Sequence, residues 1–121
     1  MRICIYGAGA IGGLLGACLA KAGAEVSLVA RGPHLAAIRA KGLTLRSAED
    51  TFTIPVVATD DPAALGPQDY VVITLKAHQV PGVVGPMQPL LGPDTAVVMA
   101  VNGVPWWYFY GLGGALSLIH I

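Results

Sequence analysis

The stretch that decides the fold is Arg2-Ile3-Cys4-Ile5-Tyr6-Gly7-Ala8-Gly9-Ala10-Ile11-Gly12-Gly13. Its apolar start, up to Tyr6, predicts a short buried strand that Gly7 stops. The apolar residues that follow have helical spacing, which predicts a helix packed on a sheet through Ile11, Leu14, Leu15, Cys18 and Leu19. Lys21 and Gly23 are typical of a helix end. Since Glu25–Val29 predicts a second strand, these elements form one parallel βαβ unit.

The loop between the strand and the helix has the pattern GxGxxG, which in this context is typical of a dinucleotide site. Gly7 permits the tight turn, Gly9 lets backbone approach a pyrophosphate, and Gly12 lets the helix lie close to the strand. Unpaired N–H groups at the helix start favour an anion. The alternative is a glycine turn that only packs tightly, the role expected of Gly13 and Gly16. The predicted cofactor-binding residues of the loop are Gly7, Ala8, Gly9, Ala10, Ile11 and Gly12.

The end of the second strand indicates which dinucleotide is bound. An NAD site usually has Asp or Glu there to hold the ribose 2′-hydroxyl. This strand instead ends Val29-Ala30-Arg31-Gly32, and Glu25 begins the strand at its far end. A guanidinium suits a 2′-phosphate. We therefore predict that the cofactor is NADP(H) and that Arg31 binds its 2′-phosphate; a solvated loop arginine is the alternative.

The rest of the chain continues to alternate between helix and strand patterns. Its predicted elements are a short helix over His34–Arg39, strands over 43–46 and 52–57, a helix start at Asp60-Asp61-Pro62, a buried strand over Tyr70–Leu75, a helix within Val80–Leu91 and a strand over Thr95–Val101. This order predicts an α/β fold with a doubly wound, mostly parallel sheet of the Rossmann-like type.

Two polar residues follow predicted strands at once, Lys76 after Leu75 and Asn102 after Val101. Ligands of open α/β sheets lie beyond the carboxyl ends of the strands. Lys76 can neutralise a phosphate or a substrate carboxylate, and the Asn102 amide can hold a nicotinamide or a substrate oxygen. The alternatives are a solvent-facing lysine and an Asn-Gly turn. His78 is interpreted as a helix-start residue rather than a proton donor.

The composition narrows the class of protein. The net charge is zero and 12% of the residues are charged, so neither a nucleic acid nor a membrane surface is an expected partner. The uncharged run from Ile3 to Ala20 could by length span a membrane, and with Arg2 it loosely resembles a lipoprotein signal. Its glycines and the strand that follows argue against both. Cys4 and Cys18 are expected to be reduced and buried in a cytoplasmic protein, and no metal site is predicted.

Four motifs occur together in order and spacing: residues 2–13, Leu28–Gly32, Val72–Ala77 and Asn102-Gly103. With them the chain resembles the N-terminal domain of the ketopantoate reductase (2-dehydropantoate 2-reductase) family, from Met1 to about residue 115. The resemblance implies NADPH-dependent reduction of ketopantoate to pantoate, in pantothenate and coenzyme A synthesis. It also implies that Lys76 and Asn102 line the cofactor and substrate crevice.

The resemblance further implies that the catalytic lysine and a substrate-binding glutamate come from a helical C-terminal domain. No residue of this chain corresponds to that domain, so we expect residues 1–115 to be a cofactor-binding fragment without catalytic residues, inactive alone. The expected partner is a small 2-keto acid, and a homodimer of the full-length protein is left open. Rival interpretations are another NADP-dependent hydroxy-acid dehydrogenase and a non-catalytic nucleotide-sensing module.

Two segments depart from this pattern. The aromatic run in residues 104–110 looks like one subgroup of the family, and it predicts either a docking segment or a wall for a different 2-keto acid. Residues 116–121, Leu-Ser-Leu-Ile-His-Ile, are what one reading frame of the transposon-end adapter CTGTCTCTTATACACATC encodes. We therefore hypothesise that these six residues are a non-native tail.

Overall fold

The computed structural model describes residues 1–48, 50–103, 108 and 113. In this part of the chain the helices and strands are β1 (Arg2–Tyr6), α1 (Ala10–Lys21), β2 (Glu25–Val29), α2 (Gly32–Lys41), β3 (Leu43–Arg46), β4 (Thr51–Ile54), β5 (Val57–Thr59), β6 (Tyr70–Ile73) and β7 (Ala96–Met99). Short 3₁₀ turns lie between them at Pro62–Ala64, Ala77–Gln79, Pro81–Val83 and Gln88–Leu90.

Five of the strands form one parallel sheet in the order β5-β2-β1-β6-β7, and β3 and β4 form a separate antiparallel hairpin. The chain moves outward from β1 in one direction to β2 and β5, and then returns to the other side of β1 for β6 and β7. Ile5 is therefore paired with Leu28 on one side and with Val72 on the other. This reversal at β1 is the topological switch point of a doubly wound sheet, as predicted.

The residues of β1 alternate between the two faces of the sheet. Ile3 and Ile5 pack with Leu28 in a buried cluster beneath the two helices, whereas Cys4 and Tyr6 pack with Val71, Ile73 and Leu90 on the opposite face. Both faces are thus covered, which explains why β1 is continuously apolar from Ile3 to Tyr6 instead of alternating.

The buried face of α1 differs in part from the predicted apolar stripe, of which Leu15 and Leu19 pack against the core and Ile11, Leu14 and Cys18 are exposed. Gly12, Gly16 and Ala17 are its buried residues, while the Ile11 and Leu14 side chains are 56% and 44% exposed. The helix lies so close to the sheet that a Cβ on Gly16 would come within 2.9 Å of a Leu28 methyl group. Small residues therefore face the sheet. The close-packing role predicted for Gly16 fits. A Cβ on Gly13 would lie 3.9 Å from a Leu43 methyl group, an ordinary contact distance, so close packing does not require glycine there.

Three other boundaries differ from the predictions. The helix expected within Val80–Leu91 is a series of 3₁₀ turns, because its three prolines lack an N–H donor and clash with a preceding carbonyl. The strand expected over 52–57 is divided at Pro55 into β4 and β5, for the same reason. The helix start at Pro62 forms, capped by Asp61, whose Oδ1 accepts from the Ala63 N–H at 3.0 Å, but it is a single short turn.

The uncharged run near the N-terminus forms a strand, a loop and a 12-residue helix in place of one long helix. None of the helices in the described ranges is long and apolar enough to cross a membrane.

The two cysteines have different environments. Cys4 is fully buried in the sheet, but Cys18 is exposed on α1, so the prediction that both thiols are buried was wrong for Cys18. The cause is the glycine-faced packing of α1, which turns the Cys18 side of the helix outward.

Alkylation in the folded state should therefore modify one thiol. Burial raises the pKa of the Cys4 thiol to about 11, so it stays protonated and shielded at pH 8 while Cys18 reacts. Iodoacetamide labelling followed by peptide mass spectrometry should find the adduct on Cys18 alone, and on both cysteines in denaturant. Equal labelling of Cys4 without denaturant would contradict this burial.

Candidate functional site

The turn after β1 depends on a glycine backbone. Gly7 has a φ of +113°, a conformation that L side chains rarely adopt. Its N–H donates to the Val29 carbonyl at 3.1 Å, and its carbonyl accepts from the Thr74 hydroxyl at 2.5 Å. Strand β2 and the residue directly after β6 thereby hold the start of the loop from both sides.

Helix α1 begins directly at this turn without a side-chain cap. Gly9 is the N-cap residue and contributes no side-chain hydrogen bond, so the N–H groups of Ala10, Ile11 and Gly12 have no partner one turn earlier. A Cβ on Gly9 would meet nothing within 4 Å, which leaves open space in front of the helix end. Free N–H donors and the positive end of the helix dipole together favour an anion there.

Gly12 has a different role from Gly9. A Cβ at this position would overlap the Gly7 carbonyl oxygen and come within 2.5 Å of the Thr74 hydroxyl. Gly12 is buried, so its missing side chain permits close contact between the helix and the loop.

One cleft of about 1320 Å³ runs along the carboxyl ends of the strands. The predicted binding residues are brought together there, with one exception. Gly12 lies beneath the loop and does not line the cleft. The predicted residues that line it are Gly7, Ala8, Gly9, Ala10, Ile11, Arg31, Lys76 and Asn102.

Arg31 is exposed at the N-cap of α2, where β2 has just ended. The strand register puts Glu25 at the opposite end of β2, beside Arg2, with 3.6 Å between their charged groups. Burial and the neighbouring Cys4 raise the pKa of the Tyr6 phenol, and the positive charge of Arg31 opposes this effect. No ion pair to Arg31 is formed by the described residues, so its charge is available to a ligand.

Lys76 and Asn102 both lie three residues beyond the end of a strand, in the loops that follow β6 and β7. The strands end earlier than predicted, but both residues line the cleft. His78 lies in the 3₁₀ turn that follows Lys76, which agrees with its interpretation as a helix-start residue, and it also lines the cleft.

Three residues of the site were not identified from the sequence. Asp60 was interpreted only as a helix-start residue, yet it lines the cleft with its carboxylate 3.8 Å from Arg39. Thr74 was treated as one residue of an apolar strand, yet it holds the glycine loop. His34 was placed only as the start of a short helix, yet its Nε2 lies 2.6 Å from the Ala8 carbonyl oxygen. For Asp60 the available signal was its position shortly after a predicted strand, and for Thr74 it was a polar residue near the carboxyl end of an apolar strand.

Other predicted features fall outside the described residues. These are the aromatic run, apart from Tyr108, which is 61% exposed, and also the boundary at residue 115 and the tail over 116–121.

A parallel, doubly wound sheet with a glycine loop at its switch point defines the chain as a Rossmann-like domain. Residues 3–105 match the family described as ketopantoate reductase PanE/ApbA. A 2-dehydropantoate 2-reductase from Mesorhizobium japonicum is 53% identical over 118 residues, which cover 97% of this chain and 36% of that protein. The chain belongs to the ketopantoate reductase family.

Solved structures share the fold of this chain, and one of them belongs to the same family. A PanE/ApbA family ketopantoate reductase from Ralstonia eutropha is 37% identical with a TM-score of 0.80, over 85% of this chain and 35% of that one. A D-mandelate dehydrogenase solved with NADH and anilino(oxo)acetate is 27% identical with a TM-score of 0.79, over 86% of this chain and 34% of that one. The chain spans about a third of the length of these relatives.

Substitution of the two loop glycines by alanine should change the stability by very different amounts. Gly12→Ala should lower the free energy of unfolding by about 3 kcal/mol, the upper end for overpacking, because its Cβ meets backbone. Gly9→Ala should change it by less than about 1 kcal/mol, because the φ of −72° and the open space accept a methyl group. Urea unfolding of the two variants measures both changes. An equal loss of unfolding free energy in the two would contradict the packing described for Gly12.

Proposed function

We propose that this chain is the NADP(H)-binding part of a reductase that acts on 2-keto acids. The observation that carries the proposal is the shared cleft. It is lined or faced by the uncapped N-terminus of α1, the open space at Gly9 and the guanidinium of Arg31, which forms no ion pair with the described part of the chain.

The glycine loop would hold the pyrophosphate. The first N–H groups of α1 are free donors, and no side chain of Gly9 obstructs a phosphate that approaches them. These contacts are common to NADH and NADPH, so they support dinucleotide binding without selecting between the two.

Arg31 would select NADPH. Hydrogen bonds to charged groups contribute about 1.5–3 kcal/mol each, which corresponds to a preference of about ten- to a hundred-fold or somewhat more. A carboxylate at this position would repel the 2′-phosphate, and the end of β2 has none.

NADH is the competing cofactor. Asp60 places a carboxylate at the cleft wall, and the D-mandelate dehydrogenase neighbour was solved with NADH. Asp60 follows β5 rather than β2, however, and lies near Arg39. The chemistry at the end of β2 therefore favours NADPH.

The proposed substrate is ketopantoate, which is reduced to pantoate. NADPH supplies the hydride when bound. Lys76 and Asn102 would hold its nicotinamide end and the polar groups of the substrate, and a lysine from a helical C-terminal domain would supply the proton.

The cytoplasmic location, the homodimer, the domain limit near residue 115 and the non-native tail stay predictions.

Cofactor titration tests the role of Arg31. Arg31→Asp should erase most of the preference for NADPH over NADH, because it replaces an attraction to the 2′-phosphate by a repulsion. Nicotinamide fluorescence measures both dissociation constants. Arg46→Asp makes the same charge change on β3 outside the cleft and should have no such effect. Gly9→Val should weaken the binding of NADPH and NADH alike. If Arg31→Asp left the preference for NADPH over NADH unchanged, the assignment of Arg31 to the 2′-phosphate would be refuted.

A chimeric enzyme tests the activity. Residues 1–103 of this chain should replace the corresponding part of the Mesorhizobium japonicum relative and support NADPH-dependent reduction of ketopantoate. Lys76→Met in the chimera should lower kcat/KM by about a hundred-fold, as expected for loss of one aligned charged donor. Cofactor binding without turnover on a panel of 2-keto acids would favour the nucleotide-sensing alternative, and turnover of another 2-keto acid would favour the rival dehydrogenase.

A further inference from the structure

The His34 side chain joins the two parts of the cleft that the proposed function assigns to two phosphate sites. Its Nε2 lies 2.6 Å from the carbonyl oxygen of Ala8, in the middle of the glycine loop. A carbonyl oxygen can only accept, so Nε2 carries the hydrogen and His34 is the donor. The contact joins residues 26 positions apart in the sequence and connects the first turn of α2 to the loop before α1.

The helix that carries His34 also carries Arg31. Arg31 is the N-cap of α2 and His34 lies in its first turn, where the Leu35 N–H donates to the Arg31 carbonyl at 3.4 Å. Gly32 and Pro33 connect them; Gly32 has a φ of +59°, and the ring of Pro33 fixes its own φ. The backbone position of Arg31 is therefore linked through this turn to that of His34.

We propose that His34 is a positioning residue that fixes the distance between the glycine loop and the guanidinium of Arg31. Ala8 is buried and cannot move freely against the sheet, so the hydrogen bond ties α2 to a fixed point. This inference rests on the proposed function, because the distance matters to a ligand that uses both sites at once. NADPH is such a ligand, whereas NADH uses the loop and lacks the phosphate for Arg31.

A double-mutant cycle on the 121-residue chain tests this. His34→Phe keeps a ring but removes the donor. It should weaken NADPH binding about ten-fold, the upper end for one net hydrogen bond, and weaken NADH binding less than about three-fold. In an Arg31→Ala background, His34→Phe should weaken the binding of NADPH no more than it weakens the binding of NADH in the parent chain. His34→Gln, which restores an N–H donor of similar reach, should recover most of the NADPH affinity.

Equal losses for both cofactors, or additive effects of the two substitutions, would mean that His34 supports the fold without coupling the sites. No loss in His34→Phe would overturn the proposal directly. If Arg31→Ala alone left the preference for NADPH unchanged, the phosphate assignment in the proposed function would fail, and the coupling would fail with it.

Hydrogen exchange without cofactor examines the contact independently of that assignment. The reporters are the amides of Gly7 and Gly13, which are bonded to the carbonyls of Val29 and Gly9. Both should exchange faster in His34→Phe and at the parent rate in His34→Gln. The Gly42 amide at the far end of α2, bonded to Ile38, should be unchanged in both. Unchanged exchange in the loop would show that the hydrogen bond does not hold it.

Discussion

The contact of the Gly7 carbonyl oxygen with Thr74 and Gly12 is the constraint on which the site depends. This oxygen accepts the Thr74 hydroxyl at the end of β6, and the missing Cβ of Gly12 allows α1 to begin directly against it. The loop, the start of α1 and a residue 67 positions further along the chain therefore meet at one backbone atom. A side chain at Gly12 would push the helix away from the loop, and the free N–H groups would no longer face the cleft as they do.

This close contact also determines how α1 packs. Because its first turn is held against the loop, the helix approaches the sheet closely enough that Gly16 faces Leu28. The larger residues Ile11 and Leu14 are then turned to the outside. Helical periodicity counts apolar residues and gives glycine no weight, so it missed Gly12 and Gly16 and was wrong for Ile11, Leu14 and Cys18. It was right for Leu15 and Leu19, which pack against the core. The helix itself, its approximate limits and its place after β1 were correctly predicted, because they follow from the glycine spacing and from residues Lys21 and Gly23.

The sequence predicted features that are encoded by neighbouring residues, and it did not predict contacts between residues far apart in the chain. The glycine loop, the strands on either side of it and the cation at Arg31 could be identified because each is encoded within a few neighbouring residues. The contact of His34 with Ala8 joins positions 26 residues apart, and that of Thr74 with Gly7 joins positions 67 apart. A histidine near a helix start has no pattern that predicts such a contact. The series of 3₁₀ turns before β7 was missed for another reason. The apolar spacing in this segment favours a helix, but its three prolines prevent one.

The proposed function separates affinity for the cofactor from choice of the substrate. Under that proposal the glycine loop and Arg31 contact the phosphates, which take no part in hydride transfer, so these contacts hold the cofactor equally before and after reaction. Discrimination between 2-keto acids must then come from the other end of the cleft. There the wall combines the polar Lys76, His78 and Asn102 with the apolar Val83 and Met99. A lysine and an amide recognise the carboxylate and oxygen common to all 2-keto acids, so the apolar surface is the part that can distinguish their side chains.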